Sequence, residues 1–475
     1  MAIARKIAYN VVFNASAKIL STVLALVGIG FITRYLGREG FGEYSIVLAF
    51  FAFFASIADL GIYTITARNI SREGADEAKI VGNAMSLRIL SSLVVFTLTP
   101  LIVYFLPYSI NVKLGIIIAA ASFLFSSTYS VLNGVFQKNI AMDKVAIVEL
   151  LGKVLQVFII ILAVKKDLGF LFLVSSLLFY MVFNFVFVLI WARKYVSIRP
   201  RFDFSYWKEF LKESAPLGIS AIVTFLYFKL DTILLSILKD SSQVGIYNAA
   251  YKVVENVTFF PAMIMGLVLP LMARSIFSDK KRFEYVSNET IKFFLVLITP
   301  LIIGTMFLSD EIIQLIAGPE FSESAGALRI LVFALGFIFF GNFFNSILIA
   351  GNLQKKLMFA LSFSAGFNIL LNAFFIPMFS FIGAAITSVL TEFLVVALTF
   401  YLTKKHLGYV PHINNFFKII FSGFIMAVFL FFFAGINLIA LVLISAIVYV
   451  LALWATQAIT TTEILSIVAG RSKKA

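Results

Sequence analysis

Long uninterrupted apolar runs decide what this chain can fold into. Hydrophobic residues make up 61% of its 475 residues and charged residues only 13%, and the mean hydropathy is +1.02. The runs last for about 20 residues, the length that a helix needs to cross a bilayer. Because these runs are continuous rather than alternating, they favour a helical bundle, whose backbone satisfies its own hydrogen bonds in lipid, over a barrel. The sequence predicts an all-α integral membrane protein.

Polar breaks divide the chain into fourteen expected transmembrane helices. They cover residues 9–33, 44–66, 80–106, 112–135, 145–164, 168–192, 214–238, 244–272, 287–308, 325–350, 356–376, 381–403, 416–434 and 437–458. An even number of crossings puts both termini on one side. That side collects 26 of the 38 basic residues, so the positive-inside rule predicts that both termini are cytoplasmic.

The first twelve expected helices repeat as two halves. Phe41-Gly42-Glu43-Tyr44 recurs as Val244-Gly245-Ile246-Tyr247, and Thr99-Pro100-Leu101-Ile102 recurs as Thr299-Pro300-Leu301-Ile302. Six helices per copy give both copies the same membrane orientation, which predicts two six-helix bundles related by a pseudo-two-fold axis. The polar break at 193–212 separates the copies. The predicted domains are a first lobe at 1–197, a second lobe at 198–408, and two additional helices within 409–475.

Four charged residues lie deep in two expected helices that flank the turn at 239–243. Lys229 and Asp231 precede the turn, and Lys252 and Glu255 follow it. At the helical rise per residue, the two lysines lie roughly 12 and 13 Å from the turn, so the four charges share one depth. Because a charge facing lipid costs several kcal/mol, these residues should face the protein interior. They form either a mutually neutralised structural cluster or a polar pocket for a charged cargo.

A second group of charges lies in the cytoplasmic half of the first lobe. It includes Lys18, Glu149 and Lys153. The i,i+4 spacing of Glu149 and Lys153 allows them to pair on one helix face, and such a pair can be either structural or functional.

Several short motifs are distributed along essentially the whole chain. Among them are Arg34-Tyr35-Leu36-Gly37, Asp59-Leu60-Gly61, Lys229-Leu230-Asp231, and Gly383-Ala384-Ala385 with Glu392. Together they resemble the polysaccharide-biosynthesis flippases of the multidrug/oligosaccharidyl-lipid/polysaccharide exporter superfamily. The resemblance implies a carrier of the inner or plasma membrane, rather than an enzyme, that moves a polyprenyl-diphosphate-linked oligosaccharide outward by alternating access. Its expected partners are this lipid-linked substrate, membrane lipids and glycan-assembly proteins.

A diphosphate inside a membrane protein needs N–H donors that replace its lost water. Lys229 and Lys252 are the expected donors, and Lys18 contributes on the cytoplasmic side. Aromatic faces and amide groups suit the sugars. The candidates close to the lysines in sequence are Tyr227, Tyr251 and Asn256.

Coupling to an ion gradient is expected at the buried carboxylates Asp231 and Glu255. Glu255 shares a helix face with Lys252 and neutralises it, whereas Asp231 points about 200° away from Lys229. Asp231 is therefore the carboxylate expected to exchange H⁺ or to bind Na⁺. A salt bridge from Asp231 to Lys252 is the alternative. We expect no other cofactor and no metal site, since the chain lacks cysteine and its two histidines flank one loop.

Other classes of protein fit the sequence less well. A membrane glycosyltransferase would present catalytic acids in a sizeable outer loop, and the largest outer connection, 309–324, holds only four acidic residues. The net charge of +14 does not indicate nucleic acid, because basic residues punctuate apolar runs and form no soluble patch. A drug/cation antiporter of the same architecture stays open, because buried acids and buried bases balance.

Overall fold

The computed structural model of the chain describes residues 2–59, 61–433 and 435–459; within these ranges it does not describe the side chains of residues 2–9, 11, 12, 58, 59, 216, 217, 219–221, 224 and 226–228. The regular elements in the described ranges are all helical. They are α1 Ala2–Asp59, α2 Ile62–Ile70, α3 Glu77–Tyr104, α4 Ile110–Lys138, α5 Met142–Lys165, α6 Phe170–Ala192, α7 Phe204–Leu238, α8 Ser241–Val257, α9 Phe259–Ser275, α10 Lys280–Ile316, the 3₁₀ turn Pro319–Phe321, α11 Ser324–Ala350, α12 Gln354–Leu407, α13 Phe416–Phe432 and α14 Leu438–Ala455.

Two helix breaks fall between expected spans, and two others interrupt an expected span. One of the latter lies within the expected span 44–66, where α1 ends at Asp59 and α2 begins at Ile62. Gly37, with φ of 63°, breaks α1 into two straight parts, and Ser380, with φ of 52°, breaks α12 three residues after Pro377. The expected span 244–272 consists of the two helices α8 and α9, which meet at Thr258. A positive φ interrupts a helix, and glycine adopts it without the steric cost that other residues carry.

Ten helices within the described residues are long and apolar enough to cross a membrane. Two of these stretches, Phe13–Ile57 and Gln354–Leu407, have 45 and 54 residues. Each is therefore long enough for two crossings, since one crossing takes about 20 residues. The expected all-α membrane fold is confirmed.

Polar side chains fix where several helices begin. The carboxylate of Asp76 accepts a hydrogen bond from Lys79 N at 2.8 Å at the start of α3, and Asn437 accepts from Ile439 N at 3.0 Å at the start of α14. At the start of α7, Asp203 accepts from Tyr206 N at 3.0 Å. This backbone hydrogen bond, together with Lys79, holds the pKa of Asp203 below its usual value. Caps of this kind satisfy the free N–H groups of a first turn.

The chain divides into two compact units. The first comprises Met1–Asn248, Ile316–Glu320 and Asn372–Phe381, and the second comprises Ala249–Leu315, Phe321–Leu371 and Ile382–Ala475. The lobe boundaries predicted at residues 197 and 408 stay a prediction.

Each unit has its own apolar core. In the first unit α4 packs against α3 and α6, and α5 packs against α1 and α6, around buried side chains such as Phe136 and Trp207. In the second unit α13 packs against α14, with Met426 and Leu441 in the core. The hydroxyl of Tyr449 donates to the carbonyl oxygen of Val296 at 3.0 Å and so joins α14 to α10.

Two glycines allow backbones to touch in the first unit. A Cβ atom added at Gly42 would lie 1.7 Å from the carbonyl oxygen of Ser241, and one added at Gly245 would lie 2.1 Å from the carbonyl oxygen of Arg38. Only residues without a side chain permit such an approach. Gly42 and Gly245 occupy equivalent positions in the two copies of the repeated motif, so the contact joins the same point of each copy.

Two arginines of α1 hold the segment Ile316–Glu320 in the same unit. Arg34 Nη1 donates to the carbonyl oxygen of Ile316 at 3.1 Å, and Arg38 Nε donates to the carbonyl oxygen of Glu320. The segment Asn372–Phe381 is attached in a similar way, since Lys239 Nζ donates to the carbonyl oxygen of Pro377 at 3.0 Å. Charged donors thus bind backbone carbonyls where the helices end.

We expect Gly42→Ala to destabilise the protein, because the new methyl group has no space and the backbones of α1 and α8 must separate. Overpacking of this kind costs about 1–3 kcal/mol. Gly266→Ala in α9 is the matched control, since a Cβ atom there meets nothing within 4 Å. Thermal unfolding of both purified variants in one detergent measures the difference. Equal unfolding temperatures for the two variants would show that the glycine contact is not tight.

Candidate functional site

The carboxylate of Asp231 joins three helices of the first unit. Its side chain lies on α7 and is buried, with 4% of its surface exposed. The hydroxyl of Tyr247 on α8 donates to Oδ2 at 3.1 Å, and Nδ2 of Asn372 on α12 donates to Oδ1 at 2.6 Å. Hydrogen bonds to an ionised acceptor are stronger than neutral ones. The site thus holds a carboxylate with neutral donors supplied by two other helices.

Thr232 and Asn248, which follow Asp231 and Tyr247 in the sequence, form a second hydrogen-bonded pair between α7 and α8. Thr232 and Asn248 are both buried, and Thr232 Oγ1 donates to Asn248 Oδ1 at 3.3 Å. Asn248 Nδ2 donates to the carbonyl oxygen of Val244 at 3.0 Å, which fixes the orientation of the amide. Carboxylate, hydroxyl and amide oxygens are the ligands that hard cations prefer. This chemistry suits a proton or an alkali cation better than a soft metal.

Lys252 and Glu255 form an ion pair in the second unit. Lys252 Nζ lies 2.7 Å from Glu255 Oε2, and the two side chains are 17% and 31% exposed. The sequence spacing predicted this shared face, and the pair is observed. Asn256 Nδ2 donates to the carbonyl oxygen of Lys252 at 2.7 Å, so this amide nitrogen is bound to its own helix. The ammonium group thereby has a carboxylate partner within an apolar span.

Four other predicted site residues lie on α1, α7 and α8. Lys229 on α7 and Tyr251 on α8 are half-buried, whereas Lys18 on α1 is exposed and interacts electrostatically with Glu149. The side chain of Tyr227 lies outside the described residues. The roles assigned to these four residues stay predictions.

Asn372 is a contact of Asp231 that the sequence analysis missed. Asn368 and Asn372 are four residues apart in an apolar span, and both are buried. Asn368 Nδ2 donates to Thr391 Oγ1 at 3.2 Å, within the second unit. Two amides on one face of a membrane helix are a polar signal that points to internal partners, although the spacing alone does not name them.

Comparison with known proteins defines the class. Among solved structures, the lipid II flippase MurJ in its inward closed conformation superposes with a TM-score of 0.76 at 16% identity, over 97% of this chain and 100% of that one. This likeness shows that the chain has the same fold of membrane-spanning helices as that structure. A family model described as MatE also matches residues 216–374.

The family follows from the sequence comparison. The family model described as polysaccharide biosynthesis protein matches residues 7–276, more than half of the chain. This chain therefore belongs to the polysaccharide biosynthesis protein family, as its motifs predicted. Its relatives include the capsular polysaccharide biosynthesis protein CapF of Staphylococcus aureus, 26% identical over 61% of this chain and 74% of the relative. Another is the probable low-salt glycan biosynthesis flippase Agl15 of Haloferax volcanii, 24% identical over 79% of each chain.

We expect Asn372→Ala to destabilise the protein more than Asn368→Ala, a matched change four residues away. The first removes a hydrogen bond to a carboxylate, worth about 1.5–3 kcal/mol, and the second removes one to a neutral hydroxyl, worth about 0.5–1.5 kcal/mol. Unfolding temperatures of the two purified variants in the same detergent test the difference. A larger loss for Asn368→Ala would contradict the assignment of Asn372 as a main partner of Asp231.

Proposed function

We propose that this chain is a flippase that moves a polyprenyl-diphosphate-linked oligosaccharide across the cytoplasmic membrane by alternating access. The observation that carries the proposal is the ion pair of Lys252 and Glu255 within an apolar span of a polysaccharide biosynthesis family protein. Placing a charge inside a membrane costs free energy. Intramembrane ionisable residues are therefore rare, and they mark substrate or ion pathways.

The ion pair supplies an exchangeable partner for the diphosphate. An ammonium group without a partner in an apolar site would be strongly disfavoured, whereas Lys252 Nζ lies 2.7 Å from the Glu255 carboxylate. When the substrate arrives, its phosphate oxygens replace the Glu255 carboxylate as acceptors for Lys252. Lys229 is proposed as a further cationic donor to phosphate oxygens, and Lys18 as one that acts on the cytoplasmic side. The exchange keeps a hydrogen-bonded counter-charge on Lys252 throughout. The Glu255 carboxylate that it releases takes up the coupling H⁺ or Na⁺, so it is not left as an uncompensated charge.

The sugar portion requires hydroxyl partners and apolar ring faces. In the proposal Tyr251 and Tyr227 supply aromatic rings, and Asn256 supplies an amide oxygen as an acceptor. Aromatic side chains with a polar tip suit a ligand that has both apolar and polar faces.

The proposed setting is the inner or plasma membrane, with both termini in the cytoplasm. The distribution of basic residues supports this orientation. In this orientation the substrate binds from the cytoplasm, where lipid-linked sugars are assembled. It is released on the outer side of the membrane, where glycans are used. Enzymes that build or polymerise the glycan are the proposed protein partners.

Ion coupling is proposed at Asp231, with Glu255 as a second carboxylate. Asp231 receives hydrogen bonds from α8 and α12, so any movement of these helices changes what the carboxylate contacts. A carrier couples a gradient to transport only when its two states differ in affinity for the ion. Separation of Tyr247 or Asn372 from Asp231 provides that difference for H⁺ or Na⁺.

A drug/cation antiporter is the second candidate function, favoured by the match of residues 216–374 to the MatE model and by the buried acids Asp231 and Glu392. Such a carrier needs an anionic cavity for a cationic cargo. Lysines would then serve only as structural partners of these acids, and their neutralisation would not weaken transport of a cation.

We expect Lys252→Gln to slow transport of the lipid-linked oligosaccharide by about ten- to a hundredfold, the equivalent of one charge-assisted hydrogen bond of about 1.5–3 kcal/mol. Lys229→Gln should act in the same direction. Lys113→Gln is the control, because Lys113 is half-buried at the start of α4 and its Nζ donates to the carbonyl oxygen of Tyr104. Proteoliposomes that contain equal amounts of folded protein provide the measurement. Parental rates for both Lys252→Gln and Lys229→Gln would rule out diphosphate binding by these residues.

We expect Asp231→Asn to abolish the dependence of flux on an imposed H⁺ or Na⁺ gradient, because an amide neither titrates nor carries the charge that attracts the cation. The control is Asp310→Asn, a carboxylate that is 61% exposed and paired with Arg329. Flux is measured in proteoliposomes under each gradient separately. If well-folded Asp231→Asn protein kept its gradient dependence, coupling would have to occur elsewhere.

A further inference from the structure

Four helices of the first unit bring polar side chains together at a second place. We call this group the Glu149 cluster. The helices α1, α4, α5 and α6 supply its members, which are Lys18, Tyr129, Glu149, Lys153, Gln156 and Tyr180. The sequence analysis recognised only the spacing of Glu149 and Lys153, so the two tyrosines and the glutamine are contributed by the fold.

The cluster faces the interior of the unit and not the lipid. On α5, residues 149, 153 and 156 form one stripe, while the exposed apolar residues Leu151, Val154 and Phe158 form another. At 100° per residue the two stripes lie roughly 165° apart. Glu149, Lys153 and Tyr180 are nevertheless only half-buried. The accessible surface of Glu149 and Lys153 therefore lies away from the exposed apolar stripe of α5.

The cluster contains hydrogen-bond donors, hydrogen-bond acceptors and an aromatic face, and Lys153 contacts two of these groups. Lys153 Nζ donates to Gln156 Oε1 at 2.8 Å and lies 4.8 Å from the centre of the Tyr180 ring. The carboxylate of Glu149 interacts electrostatically with Lys18 and Lys153. A cation over a tyrosine face holds the ring in place.

Gly152 sets how closely α5 approaches α6 beside the cluster. An added Cβ atom would lie 2.7 Å from Asn184 Oδ1 and 3.0 Å from two ring atoms of Tyr180. Asn184 is fully buried, and its amide makes no hydrogen bond of ordinary geometry to the described residues. Buried amides are normally hydrogen-bonded, so an amide with spare donors and acceptors beside a binding group calls for an explanation.

We infer that the Glu149 cluster is a subsite for a sugar residue of the transported glycan. Sugars present hydroxyl groups that both donate and accept hydrogen bonds, together with C–H faces that pack on aromatic rings, and the cluster offers the matching groups. The diphosphate is a poorer fit beside Glu149, because this carboxylate repels an anion, whereas Lys18, the exposed member of the cluster, remains the proposed diphosphate donor. The inference rests on the proposed flippase function and adds a place that recognises the glycan separately from its diphosphate.

The position of the cluster indicates that the subsite acts when the substrate binds from the cytoplasm. Glu149 and Lys153 lie roughly 10 and 17 Å along α5 from its first residue, Met142. With cytoplasmic termini, that end of α5 is the cytoplasmic end. The subsite therefore contacts the glycan while the substrate is bound from the cytoplasm, and it selects the sugar before transport.

Binding measurements on the full chain in nanodiscs test the inference. The two probes are undecaprenyl diphosphate and undecaprenyl diphosphate that carries one N-acetylhexosamine. We expect the parental protein to bind the glycosylated probe at least tenfold more tightly. Tyr180→Leu and Glu149→Gln should reduce this ratio to about twofold or less and leave the affinity for the bare diphosphate lipid unchanged. Tyr104→Leu is the matched control, since Tyr104 is 74% exposed and is the last residue of α3, a helix that supplies no member of the cluster.

The possible outcomes distinguish failure of the sugar subsite from failure of the proposed flippase function. An unchanged ratio in folded variants, an equal loss of affinity for both probes, or no preference in the parental protein would overturn the sugar subsite. Should Tyr180→Leu fail to fold, Tyr180→Phe serves instead and is expected to retain at least half of the discrimination, because the ring remains. A parental protein that binds neither diphosphate lipid would overturn the proposed function itself.

Discussion

The lipid interior offers no hydrogen bonds, and this constraint governs both the fold and the site. Every backbone group within the bilayer must find its partner inside its own helix, which is why the regular elements of the described residues are helices. The same shortage applies to side chains. Lys252 is paired with Glu255, and Asp231 accepts from Tyr247 and Asn372. Polar groups that are costly to place in a membrane are thus bound to other side chains of the protein.

Local periodicity made much of this predictable. Apolar runs located the membrane helices, since a crossing needs a minimum length wherever it occurs in the chain. The i,i+3 spacing of Lys252 and Glu255 predicted their pairing, because residues on one helix face meet without help from the rest of the fold. The repeated motif also identified Gly42 and Gly245 as equivalent positions. What it did not indicate is that these two glycines contact the backbone of the other copy.

Contacts between distant segments could not be read from the sequence. Asn372 is 141 residues away from Asp231, and Arg34 is 282 residues away from the carbonyl group of Ile316 that it binds. No periodicity links such positions, and only the packing of whole helices brings them together. The same holds for Tyr180 on α6, whose ring contacts Lys153 on α5. The sequence therefore indicated the residue types of the candidate site, whereas the fold supplied their partners.

The central claim is that the cargo is an anionic lipid-linked glycan, and a direct comparison of cargoes tests it best. Purified protein in proteoliposomes would be offered a polyprenyl-diphosphate oligosaccharide and, separately, a fluorescent organic cation. Access of an external glycosidase to the glycan and quenching of the cation report transport. The account predicts protein-dependent flipping of the glycolipid and no protein-dependent uptake of the cation. Uptake of the cation without flipping of the glycolipid would contradict it.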